Sequence, residues 1–81
     1  MNQNIDKKVI LYTTPTCVFC KNVKEYFAEN NIKYELVDLA ESRDRVQEMV
    51  DKSGQMGVPV IDAGGEIVVG FDKPKLDKIF A

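Results

Sequence analysis

The stretch VILYTTPTCVFCKNV, near the N-terminus, constrains the fold more than any other part of this sequence. It begins with a continuous apolar run, 9–11, which is typical of a strand buried on both faces of a sheet. Pro15 then interrupts the pattern, and helical spacing of apolar residues begins at Val18. The chain's only two cysteines, Cys17 and Cys20, lie where the predicted strand gives way to the predicted helix.

The middle of the chain repeats this alternation of strand and helix. The segment IKYELVDL predicts a second strand. Ser42 is predicted to cap a second helix, in which Val46, Met49 and Val50 share one face. Gly54 stands where the C-terminal cap of that helix is expected.

The last third of the chain predicts a hairpin followed by a helix. VPVID and EIVV flank the sequence AGG, which indicates two strands joined by a short turn. Asp72 is expected to cap the final helix, with Pro74 tolerated in its first turn. The resulting order, βαβαββα, predicts an α/β fold in which one sheet carries helices on both faces, with residues 1–81 as a single domain.

Composition and charge narrow the functional classes. A net charge of −2 provides no basic surface for nucleic acid. No apolar stretch approaches the roughly 18 residues that cross a bilayer, and MNQNIDKK has no apolar run of the secretory type. We therefore expect a cytoplasmic, reducing setting, where a close cysteine pair is more often catalytic or metal-binding than a structural disulfide.

The cysteine pair has several possible roles. Structural zinc and iron–sulfur sites usually need four ligands, whereas this chain has two cysteines and no histidine. No acidic residue adjoins the pair, so we predict no metal site within one chain. The cysteines can also be small buried hydrophobic residues. Their C-x-x-C spacing beside a βαβ pattern instead favours a redox pair.

The two cysteines are predicted to have different roles. Cys17 lies at the start of the helix, where unpaired N–H groups and the helix dipole favour a thiolate. Cys20 lies one turn further along the same face, shielded from solvent but within reach of Cys17. Cys17 is thus predicted to attack and Cys20 to resolve. Pro59, which opens a predicted strand, fits either an edge-strand proline or a cis proline beside a substrate site.

Three motifs together resemble the glutaredoxins of the thioredoxin superfamily: CVFC after a strand, VP opening the third strand, and GFD before the last helix. The resemblance covers essentially the whole chain. It implies the thioredoxin fold, a four-stranded mixed sheet in the order 2-1-3-4 with three helices, and a cis Val58–Pro59 bond. It also implies thiol–disulfide exchange through Cys17 and Cys20 on protein disulfides or glutathione mixed disulfides, with no tightly bound cofactor.

The resemblance further implies a binding site for glutathione as co-substrate. The tripeptide would pair with the Val58 backbone, its γ-glutamyl end would meet the GFD motif, and its glycine carboxylate would meet Gln55. Phe19 takes the place of the aromatic residue usual between the cysteines, and Thr14 stands where many members have a lysine. The full predicted set is Thr14, Phe19, Gln55, Val58, Pro59, Gly70, Phe71 and Asp72.

CVFC and VGFDKP are more similar to the glutaredoxin-like donors that reduce ribonucleotide reductase and are recharged by thioredoxin reductase. The resemblance therefore implies either glutathione or thioredoxin reductase as the reductant of a monomeric protein that acts on disulfide-containing proteins. The alternative function is iron–sulfur cluster carriage, in which two chains bridge a cluster through Cys17 and two glutathione molecules.

Overall fold

The computed structural model describes residues 8–80, which form four strands and three α-helices. They are β1 (Val9–Thr13), α1 (Val18–Glu29), β2 (Glu35–Asp38), α2 (Val46–Ser53), β3 (Val60–Ala63), β4 (Glu66–Val69) and α3 (Lys73–Phe80). This confirms the predicted order βαβαββα. The predictions for residues 1–7 and 81, including the absence of a secretory segment, lie outside the described residues. None of the helices within 8–80 has the length and apolar content needed to cross a bilayer.

The strands form one mixed sheet in the order β2-β1-β3-β4, as predicted. β1 is parallel to β2, and α1 provides the crossover connection that parallel neighbours require. β1 is antiparallel to β3, and β3 is antiparallel to β4. The middle of β1 pairs on both edges, since Leu11 lies opposite Leu36 on one side and Ile61 on the other. All five residues of β1 are buried, in agreement with the prediction.

Helices cover both faces of the sheet because successive side chains of β1 point in opposite directions. On one face Leu11 packs with Phe27 of α1 and Leu76 of α3, all fully buried. On the other face Tyr12 packs with Met49 of α2. The continuous apolar run in the sequence therefore serves two separate core layers.

Two of the predicted helix caps are present and one is wrong. Gly54 is left-handed, with φ of 76°, and the Asp72 carboxylate accepts a hydrogen bond from the Lys75 amide at 3.2 Å. The Ser42 side chain caps no helix. A 3₁₀ turn over Arg43–Arg45 precedes α2 instead, and its backbone hydrogen bonds satisfy the amides that a side-chain cap would serve.

A polar network, not predicted from the sequence, lies at the edge of the α2 layer. The buried Tyr12 hydroxyl donates to the Glu48 carboxylate and accepts from Lys52 Nζ at 3.0 Å. Lys52 Nζ also lies 2.7 Å from Asp62 Oδ2, and the Arg45 guanidinium donates to both carboxylate oxygens of Glu48. The bonds from Arg45 and Tyr12 lower the pKa of Glu48 to about 2. The network thus joins α2 to both central strands.

Replacing Glu48 by Gln should reduce the loss of folding stability that occurs as the pH falls. The folded-state pKa of Glu48, about 2, lies below its ordinary value of 4.5. Its stabilising contribution is therefore complete above about pH 4.5 and is lost as the pH falls toward 2. Urea midpoints measured between pH 6 and pH 2 should fall less steeply for Glu48→Gln than for the wild type. Part of the slope should remain, because the pKa values of Glu35 and Asp77 are also lowered.

Glu41→Gln provides the matched control, because Glu41 is exposed and no side-chain bond is formed by it within residues 8–80. This control should follow the wild type across the pH range. Parallel curves for Glu48→Gln and the wild type would contradict the role given to the network.

Candidate active site

The site begins where β1 ends and α1 starts. The Cys17 amide donates to the Thr14 carbonyl at 3.1 Å, which closes a turn around Pro15. Cys17 is the N-cap of α1, with extended backbone angles, and its Sγ accepts a hydrogen bond from the Cys20 amide at 3.1 Å. First-turn amides have no acceptor within their own helix. The sulfur of Cys17 is therefore held where negative charge is favoured.

The two cysteines form a disulfide, with their Cα atoms 5.4 Å apart. They differ in access to solvent. Cys20 is 2% exposed and lies on the buried face of α1 with Val23 and Phe27, whereas Cys17 is only partly buried. Of the two sulfurs, Cys17 is thus the one that an incoming thiol or disulfide can reach.

A cavity of about 300 Å³ adjoins the disulfide between α1 and β2. Two lysines of α1 and one carboxylate, that of Asp38 at the end of β2, supply its charged groups, so its lining is net positive. It is lined by Thr13, Thr14, Pro15, Cys17, Cys20, Lys21, Lys24, Leu36 and Asp38. Within residues 8–80, no group of three or more histidine, cysteine, aspartate or glutamate residues is placed to hold a metal ion.

The loop before β3 forms the second part of the site. The Val58–Pro59 peptide bond is cis, and the Pro59 side chain is fully buried. The Gly70 amide donates to the Pro59 carbonyl at 2.8 Å, which ties this loop to the start of the GFD motif. In the described part of the chain, the amide and carbonyl of Val58 form no hydrogen bond. An extended peptide can therefore pair with them.

The other predicted binding residues are more dispersed. The Gln55 side-chain amide bonds within its own loop, donating to the Gly57 carbonyl at 3.0 Å and accepting from the Gly57 amide at 2.6 Å. Phe19 is 58% exposed. Phe71 packs edge-on against the ring of Tyr26 and lines one cleft, whereas Asp72 caps α3 and lines a different one.

In the structure, Thr14 lines the same cavity as both cysteines. Thr14 and Val58 line a neighbouring groove. It joins Pro59 to Gly70 by a hydrogen bond. Sequence reasoning missed the residues that β2 and the following loop contribute, among them Asp38. The predicted topology could have indicated them, because the carboxyl ends of parallel β1 and β2 lie at the same edge of the sheet.

Comparison with known proteins identifies the family. A family model described as Glutaredoxin matches residues 9–68. The chain belongs to the glutaredoxin family. An uncharacterized glutaredoxin-like 8.6 kDa protein in the rubredoxin operon of Clostridium pasteurianum is 45% identical over 69 residues, which are 85% of this chain and 92% of that protein.

Solved glutaredoxin structures have the same fold. A glutaredoxin from Archaeoglobus fulgidus matches with a TM-score of 0.81 at 24% identity, covering 91% of this chain and 86% of its own. NrdH-redoxin from Escherichia coli, a glutaredoxin-like protein, matches with a TM-score of 0.78 at 20% identity, covering 91% and 96%. This glutaredoxin therefore has the thioredoxin fold and is a glutaredoxin-like redox protein, with Cys17 and Cys20 within disulfide distance.

In the reduced protein, brief treatment with iodoacetamide should modify Cys17 well before Cys20. The reason is that Cys17 is partly exposed at the helix N-terminus, whereas Cys20 is buried. Peptide mapping by mass spectrometry measures the ratio of the two products. In denaturant the two cysteines should be modified at similar rates, and preferential modification of Cys20 in the folded protein would contradict the assigned geometry.

Proposed function

We propose that this glutaredoxin is a dithiol thiol–disulfide oxidoreductase that reduces disulfides in other proteins. The observation that carries the proposal is the difference between its two cysteines. Cys17 is accessible at the N-terminus of α1, and Cys20 lies one helical turn deeper with 2% exposure. The Cys17 sulfur is accessible to a substrate, whereas the Cys20 sulfur is accessible only to Cys17.

In the proposed cycle, the Cys17 thiolate attacks one sulfur of the substrate disulfide. This step forms a mixed disulfide and releases the other substrate sulfur as a thiolate, which takes up a proton. Cys20 then loses its proton and attacks Cys17 Sγ, which releases the second substrate thiol and leaves the Cys17–Cys20 disulfide. Two electrons and two protons pass to the substrate. The leaving group in this second step is the substrate sulfur, so stabilisation of the Cys17 thiolate assists the first attack, by raising the fraction of Cys17 that is ionised.

The same stabilisation assists the reduction of the oxidised protein. An incoming thiolate reaches Cys17, not the buried Cys20, and its attack there expels Cys20 and forms a mixed disulfide between Cys17 and the reductant. A second thiol of the reductant then attacks the reductant's sulfur and expels Cys17, and a leaving thiol of low pKa departs faster. The reductant supplies two electrons, and two thiols are restored on this chain.

We further propose that a thioredoxin-reductase-type enzyme, rather than glutathione, supplies these electrons. Thr14 stands where many family members have a lysine, and the Gln55 side-chain amide is bound to Gly57, so two of the contacts that the resemblance implies for glutathione have less support. The NrdH-redoxin of Escherichia coli, which shares the fold, is described as having a thioredoxin-like activity profile. The proposal places a monomeric protein in the cytoplasm, where a reducing environment keeps the cycle running.

Substitution of each cysteine by serine should give different results. Cys17→Ser should lose at least about 1,000-fold in the rate of insulin disulfide reduction, since the remaining sulfur is buried. Cys20→Ser should accumulate a mixed disulfide between Cys17 and the substrate, visible on non-reducing gels and removed by dithiothreitol. Retained activity in Cys17→Ser would refute the proposal.

The reductant can be assigned with oxidised protein and NADPH in two parallel assays. One assay contains thioredoxin reductase, and the other contains glutathione with glutathione reductase. We expect NADPH consumption at least about ten-fold faster with thioredoxin reductase, the ratio that 1.4 kcal/mol of preference produces. Faster consumption in the glutathione assay would reverse the assigned reductant while leaving the dithiol cycle intact.

A further inference from the structure

A groove of about 510 Å³ runs beside the cis-proline loop, on the α2 side of the sheet. We call it the apolar groove, because its exposed lining is mostly carbon. It is lined by Thr14, Leu39, Ala40, Arg43, Val46, Met56, Gly57 and Val58. Its volume lies within the range of about 300–1,000 Å³ that is usual for ligand pockets. The groove therefore has room for more than one side chain.

The apolar groove adjoins the cavity that contains the disulfide. Thr14 lines both this groove and the cavity that contains the two cysteines. The carbonyl of Thr14 is 3.1 Å from the Cys17 amide. At its other edge lies Val58, whose backbone amide and carbonyl form no hydrogen bond within residues 8–80. A peptide that pairs with Val58 beside Cys17 would place a neighbouring side chain in the groove.

The groove also carries a single type of charge. Arg43 is the one charged residue among its lining residues, and its side chain makes no hydrogen bond or ion pair within the described range. The neighbouring Arg45, by contrast, is bound to Glu35 and Glu48. Met56 is 73% exposed, a large apolar side chain left open at the rim. An apolar floor with an unpaired guanidinium at its edge is complementary to an apolar side chain followed by a carboxylate.

We propose that the apolar groove docks an extended segment of the substrate protein, in which an apolar residue adjoins the reactive cysteine and an aspartate or glutamate comes next. This inference rests on the proposed function and specifies its substrate class. Glutathione has no apolar side chain to fill such a groove. The groove thus selects protein disulfides by the residues that flank them.

The test uses symmetric disulfides of three short peptides, so that the direction of the bound chain does not matter. Their central sequences are Glu-Leu-Cys-Leu-Glu, Glu-Ser-Cys-Ser-Glu and Gln-Leu-Cys-Leu-Gln. Second-order rate constants with the reduced protein are divided by those with dithiothreitol, which corrects for the intrinsic reactivity of each peptide. We expect the first peptide to react at least about five-fold faster than the serine peptide, because part of a leucine side chain is buried. It should react about two- to five-fold faster than the glutamine peptide, and added salt should reduce this second ratio.

Two variants and two matched controls assign these preferences to the groove. Met56→Ser should lower the preference for leucine over serine, and Arg43→Gln should abolish the preference for glutamate over glutamine. Val69→Ser removes another exposed apolar side chain, 49% exposed and outside the groove, and Lys33→Gln removes another exposed charge. Both controls should keep the wild-type ratios.

Equal corrected rates for the three peptides, or losses in the controls as large as in the groove variants, would overturn the docking proposal alone. If none of the three peptide disulfides reacts faster with the reduced protein than with dithiothreitol, the proposed function would be overturned as well. A concentration-dependent dimer that dissociates on Met56→Ser substitution, measured by sedimentation, would assign the groove to a second copy of the chain and also overturn the proposal.

Discussion

The burial of β1 on both faces is the constraint on which the rest of the structure depends. β1 pairs with β2 on one edge and β3 on the other, and its side chains enter both core layers. A strand held in this way has a fixed end. The chain leaves it at the edge of the sheet, turns through the Thr14–Cys17 hydrogen bond, and enters α1 at once. The position of Cys17 therefore follows from how the core is packed.

The inequality of the two cysteines comes from the same packing. Residues three apart lie on one face of a helix, and here that face is the buried face of α1. Cys20 accordingly joins the row that continues through Val23 and Phe27 into the core. Cys17, as the N-cap, stays partly exposed at the first turn of α1, where its Sγ accepts from the Cys20 amide. The two sulfurs are thus one helical turn apart, and Cys17 is accessible to other molecules whereas Cys20 is accessible only to Cys17.

The second part of the site depends on contacts between distant parts of the chain. The loop that carries Val58 is anchored by the burial of Pro59 and by its hydrogen bond with Gly70 of the GFD motif. This leaves the Val58 backbone available in the groove that shares Thr14 with the disulfide cavity. On the same α2 side of the sheet, the network around Glu48 joins α2 to β1 and β3. These contacts hold in place the loop and strands that surround the unpaired Val58 backbone.

The sequence was sufficient for those features that depend on local pattern. The apolar run 9–11, the C-x-x-C spacing and the helical face of Cys20 and Phe27 together predicted the strand, the helix and the greater burial of Cys20. Prediction failed at Ser42, because a 3₁₀ turn satisfied the amides without its side chain. It also missed the network of Tyr12 with Glu48, whose members are 36 residues apart. The apolar groove was likewise not predicted, because its lining comes from three separate connecting segments and the first residue of α2, which lie together only once the sheet has formed.

Titration of the Cys17 thiol tests most directly whether the amino end of α1 stabilises the attacking sulfur. The reduced Cys20→Ser variant has a single thiol, so its thiolate absorbance at 240 nm can be followed against pH without overlap from a second thiolate. We expect the pKa of Cys17 to lie below about 8.5, the usual value for a free cysteine. A pKa at or above that value would contradict the role assigned to the helix N-terminus.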